Sequence, residues 1–150
     1  MDAYEWCPNE NDVIEAVVNK LLVCGFTIKS TCTTNQHGID IIANKNELEL
    51  FIEAKGGTTS KDTARNGKPF TRNQVRTHIS VALYSAMKLF TQYKDNENVI
   101  IGIALPFEKN HIDLINKIKY ALEKMNIVVF WVNRDTVDIE VLSSAVEFFK

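Results

Sequence analysis

Three stretches of the chain repeat their apolar residues every three or four positions, and between them lie short runs rich in apolar and β-branched side chains. From Asn11 to Cys24 the residues Val13, Ile14, Val17, Val18, Leu21 and Leu22 share one broad face, which predicts a first helix closed by Gly25. Phe26 to Thr34 alternates weakly and reads as a strand, followed by a turn by composition at Asn35-Gln36-His37-Gly38. Gly38 to Lys55 reads as a hairpin, two β-rich arms joined at the polar Asn44-Lys45-Asn46. Gly56 to Pro69 has no apolar period and predicts a long loop of the kind that tends to serve as a lid or binding loop. Thr71 to Tyr93 then carries a stripe of Val75, Ile79, Ala82, Leu83, Ala86 and Phe90, the strongest helical signal in the chain. A strand is predicted over Asn98 to Leu105, a helix over Asn110 to Met125 and a strand over Ile127 to Val132, while the pattern after Thr136 leaves its structure open.

The chemistry gathers on the hairpin. Residues two apart on a strand share a face, so Glu53 and Lys55 project together beside Phe51, while Ile52 and Ala54 face the other way. If pairing brings Asp40 level with Glu53, two carboxylates and an ammonium converge, and carboxylates that close repel unless a cation shares them. A divalent metal is the expected cation. In the first helix, at about 100° per residue, Glu15 falls beside Leu22 at the border of the apolar face. Two readings stand for Glu15: it points along the sheet toward the acidic pair, or it is an ordinary carboxylate near a helix N-terminus. Thr71-Arg-Asn-Gln74 matches a capping box, and His78 lies one turn beyond Gln74 on the same flank.

At 150 residues, 45% hydrophobic and 24% charged, the chain has the make-up of one soluble globular domain with its own core. Its opening residues lack the basic start and apolar run of a secretory signal, so the expected location is the cytoplasm. Three cysteines, Cys7, Cys24 and Cys32, without a Cys-x-x-Cys pair, argue against a disulfide framework or a zinc site and predict buried reduced thiols. The net charge of −2 hides an uneven distribution: Lys55 to Arg76 holds six basic residues and one acid. A basic segment beside a carboxylate cluster suits a phosphodiester backbone, although charge runs are often only solvated loops.

The order helix, three strands, helix, strand, with Gly-x-Asp40 on the second strand and Glu53-x-Lys55 on the third, resembles the PD-(D/E)XK nuclease superfamily over about Asn11 to Leu105. The resemblance implies an α/β fold: a restriction-endonuclease-like αβββαβ core with a central mixed sheet flanked by helices, here with a C-terminal αβ extension. It implies that Asp40 and Glu53 bind Mg²⁺ or Mn²⁺, that the carbonyl of Ala54 is a further ligand, and that Lys55 orients or activates the attacking water. Many members add a first-helix glutamate, which Glu15 matches, and others a glutamine in the helix after the lysine, which Gln74 matches. Those others usually follow the glutamine with tyrosine four residues on, where this chain has His78. The expected activity is metal-dependent hydrolysis of DNA, with Lys61, Arg65, Lys68, Arg72, Arg76 and His78 as nucleic-acid contacts and a homodimer or partner subunit supplying specificity. An RNase, or a non-catalytic binding module on the same fold, is the alternative.

Overall fold

The computed structural model describes residues 6–32, 38–59, 67–140 and 149. Helix α1 (Glu10–Val23) is followed by strands β1 (Thr27–Thr31), β2 (Ile41–Lys45) and β3 (Leu48–Ala54), then α2 (Arg72–Gln92) and β4 (Val99–Pro106). Two short helices, α3 (Lys109–Asn116) and α4 (Lys119–Lys124), lead to β5 (Val128–Val132) and β6 (Val137–Glu140). The six strands lie side by side in chain order. β1, β2 and β3 pair antiparallel, β3, β4 and β5 parallel, and β6 returns antiparallel to β5. This is the αβββαβ order with a mixed central sheet and a C-terminal extension.

Alternation along the strands divides the core in two. Leu50, Ile52 and Ala54 of β3 pack with Val13, Val17 and Leu21 of α1 on one face. Phe51 joins Val75, Ile79, Ala82, Ala86 and Leu89 of α2, with Ile115 of α3 and Leu122 of α4, on the other. Each helix therefore buries the stripe its sequence carries, with two shifts at the margins. Leu22 is 53% exposed and Phe90 40%, the latter's place in the α2 stripe being taken by Leu89.

Several boundaries differ from the sequence reading. The hairpin turns at Asn46-Glu47, because Lys45 still pairs with Leu48, and Asn46 adopts a positive φ of 56°, which asparagine tolerates better than most residues. The predicted helix over Asn110 to Met125 is two helices, broken where Ile118 leaves the helical well at φ −121° and ψ 9°. No proline or glycine marks that break, so periodicity runs straight through it. Asn9 caps α1 in a reciprocal box with Asp12, which starts the helix at Glu10. Cys24 is buried, whereas Cys7 and Cys32 are only partly so, and none of the three is joined in a disulfide among the described residues. The Asn35–His37 turn and the centre of the long loop lie outside the described residues. Among the described residues no helix is long and apolar enough to cross a membrane.

Candidate active site

The β2–β3 ladder pairs Ile41 with Ile52, so the next step along it sets Asp40 level with Glu53. Their carboxyl groups are hydrogen-bonded to each other. Asp40 is 8% exposed, and its Oδ2 accepts the Ala54 N–H at 2.8 Å. The Lys55 N–H donates to the Ala104 carbonyl at 3.0 Å, continuing the β3–β4 pairing to the sheet's edge. The acidic pair and Lys55 thus stand at the carboxyl ends of the parallel strands, where open α/β sheets commonly present their ligand sites.

Immediately beyond Lys55 the chain passes against the start of α1. A Cβ on Gly56 would lie 2.4 Å from the Glu10 nitrogen and 2.5 Å from the Asn9 carbonyl carbon, so only glycine permits this approach. The Gly57 N–H donates to the Pro8 carbonyl at 2.7 Å and fixes the crossing. The contact brings Glu10, in the first turn of α1, within electrostatic reach of Asp40, Glu53 and Lys55. Glu15 is exposed instead. Five residues further along α1, it is rotated by about 140° from Glu10 at helical pitch. The α1 carboxylate that acts on the acidic pair is therefore Glu10, and the Asn9-x-x-Asp12 box is the signal that places it in the first turn.

Burial pushes the Glu53 carboxyl up to about 8, aided by Asp40 and its hydrogen bond and opposed by Lys55. Asp40 is also raised, first by burial, but the Ala54 N–H and the bond to Glu53 favour its charged form. The pair therefore tends to hold a proton between its two carboxyls, with Glu53 the more strongly raised. Glu10 is raised by burial and by Asp40. Such a group of oxygens, partly neutralised by a proton, suits a hard cation that would displace the proton. Among the described residues no three of His, Cys, Asp and Glu gather around one point.

The other sequence candidates fall in different surroundings. Gln74 completes the capping box: its Oε1 accepts the Thr71 N–H at 2.8 Å, and the Thr71 Oγ1 accepts the Gln74 N–H at 3.3 Å. Arg72 is tied to α3 through Asn110 at 3.2 Å and Asp113 at 3.5 Å. Lys68 and Arg76 are exposed, and Lys61 and Arg65 lie outside the described residues. The base of the loop is clipped shut, with the Phe70 N–H on the Gly57 carbonyl at 2.9 Å and the Gly67 N–H on the Thr58 Oγ1 at 3.1 Å. His78 is partly buried, its ring set edge-on to Phe70 at 4.5 Å. Burial, Lys55 and His111 hold its imidazole below the ordinary value.

A second polar group escaped the sequence reading. Glu108 caps α3 by accepting the His111 N–H at 2.7 Å, and its Oε1 also meets the His111 Nδ1. Burial acts to raise the Glu108 carboxyl, but the bonds from His111 and the α3 backbone outweigh it and hold it low. His111 is 1% exposed, and its Nε2 is buried without a partner among the described residues. Placing the helix start at Asn110 separated the two; Glu108 three residues before His111, just past a strand end, is the pattern that joins them.

This chain shares its fold with an XisH family protein. That protein, from Nostoc punctiforme PCC 73102, superposes with a TM-score of 0.53 at 11% identity, covering 84% of this chain and 95% of the XisH family chain. At such identity the likeness to the XisH family structure is one of fold alone. No family model matches the chain, and no curated protein does.

Proposed function

We propose that the chain is a metal-dependent nuclease that hydrolyses phosphodiester bonds of DNA by water attack. The observation that carries this reading is the Asp40–Glu53 pair: two carboxyls in contact at the end of β3, both raised first by burial, with Lys55 beside them. Structural ion pairs do not need a second buried acid. Asp40 and Glu53 hold the metal once their proton is displaced, and Glu10 adds charge from α1. Mg²⁺ or Mn²⁺ bound there would offset charge building on the phosphate and acidify a coordinated water. Lys55, a donor only, steadies a non-bridging phosphate oxygen. Exposed Lys68 and Arg76 contact backbone phosphates, which gives affinity without sequence preference.

The lack of a ready three-ligand cluster among the described residues favours a second reading, a nucleic-acid-binding module that does no chemistry. One experiment separates the two and also tests RNA as substrate. Plasmid, linear duplex, single-stranded DNA, branched DNA and RNA are incubated with Mg²⁺, Mn²⁺ or EDTA. Cleavage that needs metal and disappears in Asp40→Asn and Glu53→Gln is expected. Folded protein that binds these substrates and cuts none of them would establish the module.

A further inference from the structure

Attack of water on phosphorus must dispose of a proton, and the residues gathered at the strand ends are poorly suited to take it. In the reading above, on which this inference rests, Asp40 and Glu53 are committed to the cation and Glu10 adds charge beside them, while Lys55 offers only donors. A base with a lone pair is needed near Lys55. We propose that His78 is the general base of this site and that Glu108 and His111 are the positioning pair behind it.

The geometry supports each part. Phe70 holds the His78 ring edge-on at 4.5 Å and an interplanar angle of 74°, and Phe70 is itself bonded to Gly57, two residues past Lys55. Arg72 on α2 reaches Asn110 and Asp113 on α3, which fixes the two helix starts against each other. On α3 the Glu108 carboxylate meets the His111 Nδ1, so that nitrogen carries the proton and Nε2 is left as an acceptor. That acceptor is buried and unmatched among the described residues. A His78 ring N–H, turned toward it directly or through one water, satisfies Nε2 and leaves the second His78 nitrogen with its lone pair. The charged groups acting on His78 are Lys55 beyond β3 and His111 on α3, the latter backed by Glu108. Its own helix carries no acid, and the cations Arg72 and Arg76 on that helix are exposed. Partial burial and the Lys55 ammonium both act to hold the His78 imidazole below its ordinary value, which favours the form able to accept.

The step balances simply. Water's oxygen bonds phosphorus as one of its O–H bonds breaks and the proton passes to His78. The bond from phosphorus to the leaving sugar oxygen breaks with its electron pair, that oxygen takes a proton from solvent, and His78 returns its own.

The test measures single-turnover cleavage against pH in Mg²⁺ for the wild type, His78→Gln, His78→Ser and His111→Phe, with the His78 ring titration followed by NMR. The wild-type rate should fall on the acid side with the midpoint of the His78 titration. His78→Gln should lose about 10²–10⁴-fold in rate together with that acid limb, and added imidazole should partly restore His78→Ser. His111→Phe removes the Nε2 acceptor that fixes which His78 nitrogen keeps its hydrogen, so cleavage should slow and the ¹⁵N shifts that report the His78 tautomer should change. If the wild type cleaves and His78→Gln keeps both rate and acid limb, the base is elsewhere. Unchanged His78 ring ¹⁵N shifts in His111→Phe overturn the positioning pair. A wild type that cleaves nothing overturns the nuclease reading and this step with it.

Discussion

A carboxyl group pushed up to about 8 holds its proton through the neutral range, and Glu53 is such a group. Its folded form binds a proton more tightly than its unfolded form, so its contribution to stability is fullest at acid pH. That contribution is lost as pH rises from about 4.5 toward 8, the window between the two values. Glu108 has the opposite sign, losing its contribution as pH falls, which makes the difference between variants the cleaner measurement. In EDTA, Glu53→Gln should gain thermal stability over the wild type as pH rises from 5 to 8. Added Mg²⁺ should raise the wild-type Tm at pH 8, have little effect at pH 5, and act weakly on the variant at either pH. A wild type indifferent to Mg²⁺ at pH 8 would remove the cation from this site. Strand alternation alone set Glu53 and Lys55 on one face and left only the register to bring Asp40 opposite. Glu10 and His111 were illegible for a different reason: each depends on which residue starts a helix, and periodicity locates a helix's middle far better than its first turn.

Two junctions between elements carry the site, and each has a measurable strength. The Thr71–Gln74 box holds the start of α2 with two reciprocal bonds. Thr71→Ala and Gln74→Ala should each cost about 1 kcal/mol in denaturant unfolding. The double variant should cost less than their sum, since both remove parts of one device. Strict additivity would mean the bonds act separately. At the other junction, Gly56→Ala forces a methyl into the backbone of Asn9 and Glu10. The start of α1 must then move off β3, at a cost of about 1–3 kcal/mol, and metal affinity should weaken as Glu10 withdraws. Destabilisation with unchanged metal affinity would show that Glu10 lies outside the ion's field. The elements themselves were legible because stripes such as Val75, Ile79 and Ala82 repeat without interruption. The α3–α4 break was not, because Ile118 leaves the helix with no breaker residue to announce it.

Charge is the property of the whole molecule that bears most on the proposed nucleic-acid substrate. Lys55 to Lys94 holds eight basic residues against one acid, in a chain whose net charge is −2. Duplex binding measured in Ca²⁺, to hold cleavage off, should therefore weaken with salt. Lys68→Ala and Arg76→Ala should each flatten the log–log slope by about one unit if each contacts one phosphate. Arg72→Ala should also loosen α2 from α3, so its effect will exceed one contact. Unchanged slopes in both Lys68→Ala and Arg76→Ala would move the substrate to another face. The partnering of the strands was the part least visible beforehand, since apolar runs identify strands without saying which neighbours they choose. That choice has a consequence for synthesis. Because the order across the sheet repeats the order along the chain, each strand leaving a ribosome meets a partner already made. The sheet can grow from β1 to β6 without an open slot waiting for a later segment, and few strand edges stay bare long enough to aggregate. A nascent chain would thus hold Asp40 beside Glu53 while α2 and α3, with their imidazoles, were still being translated.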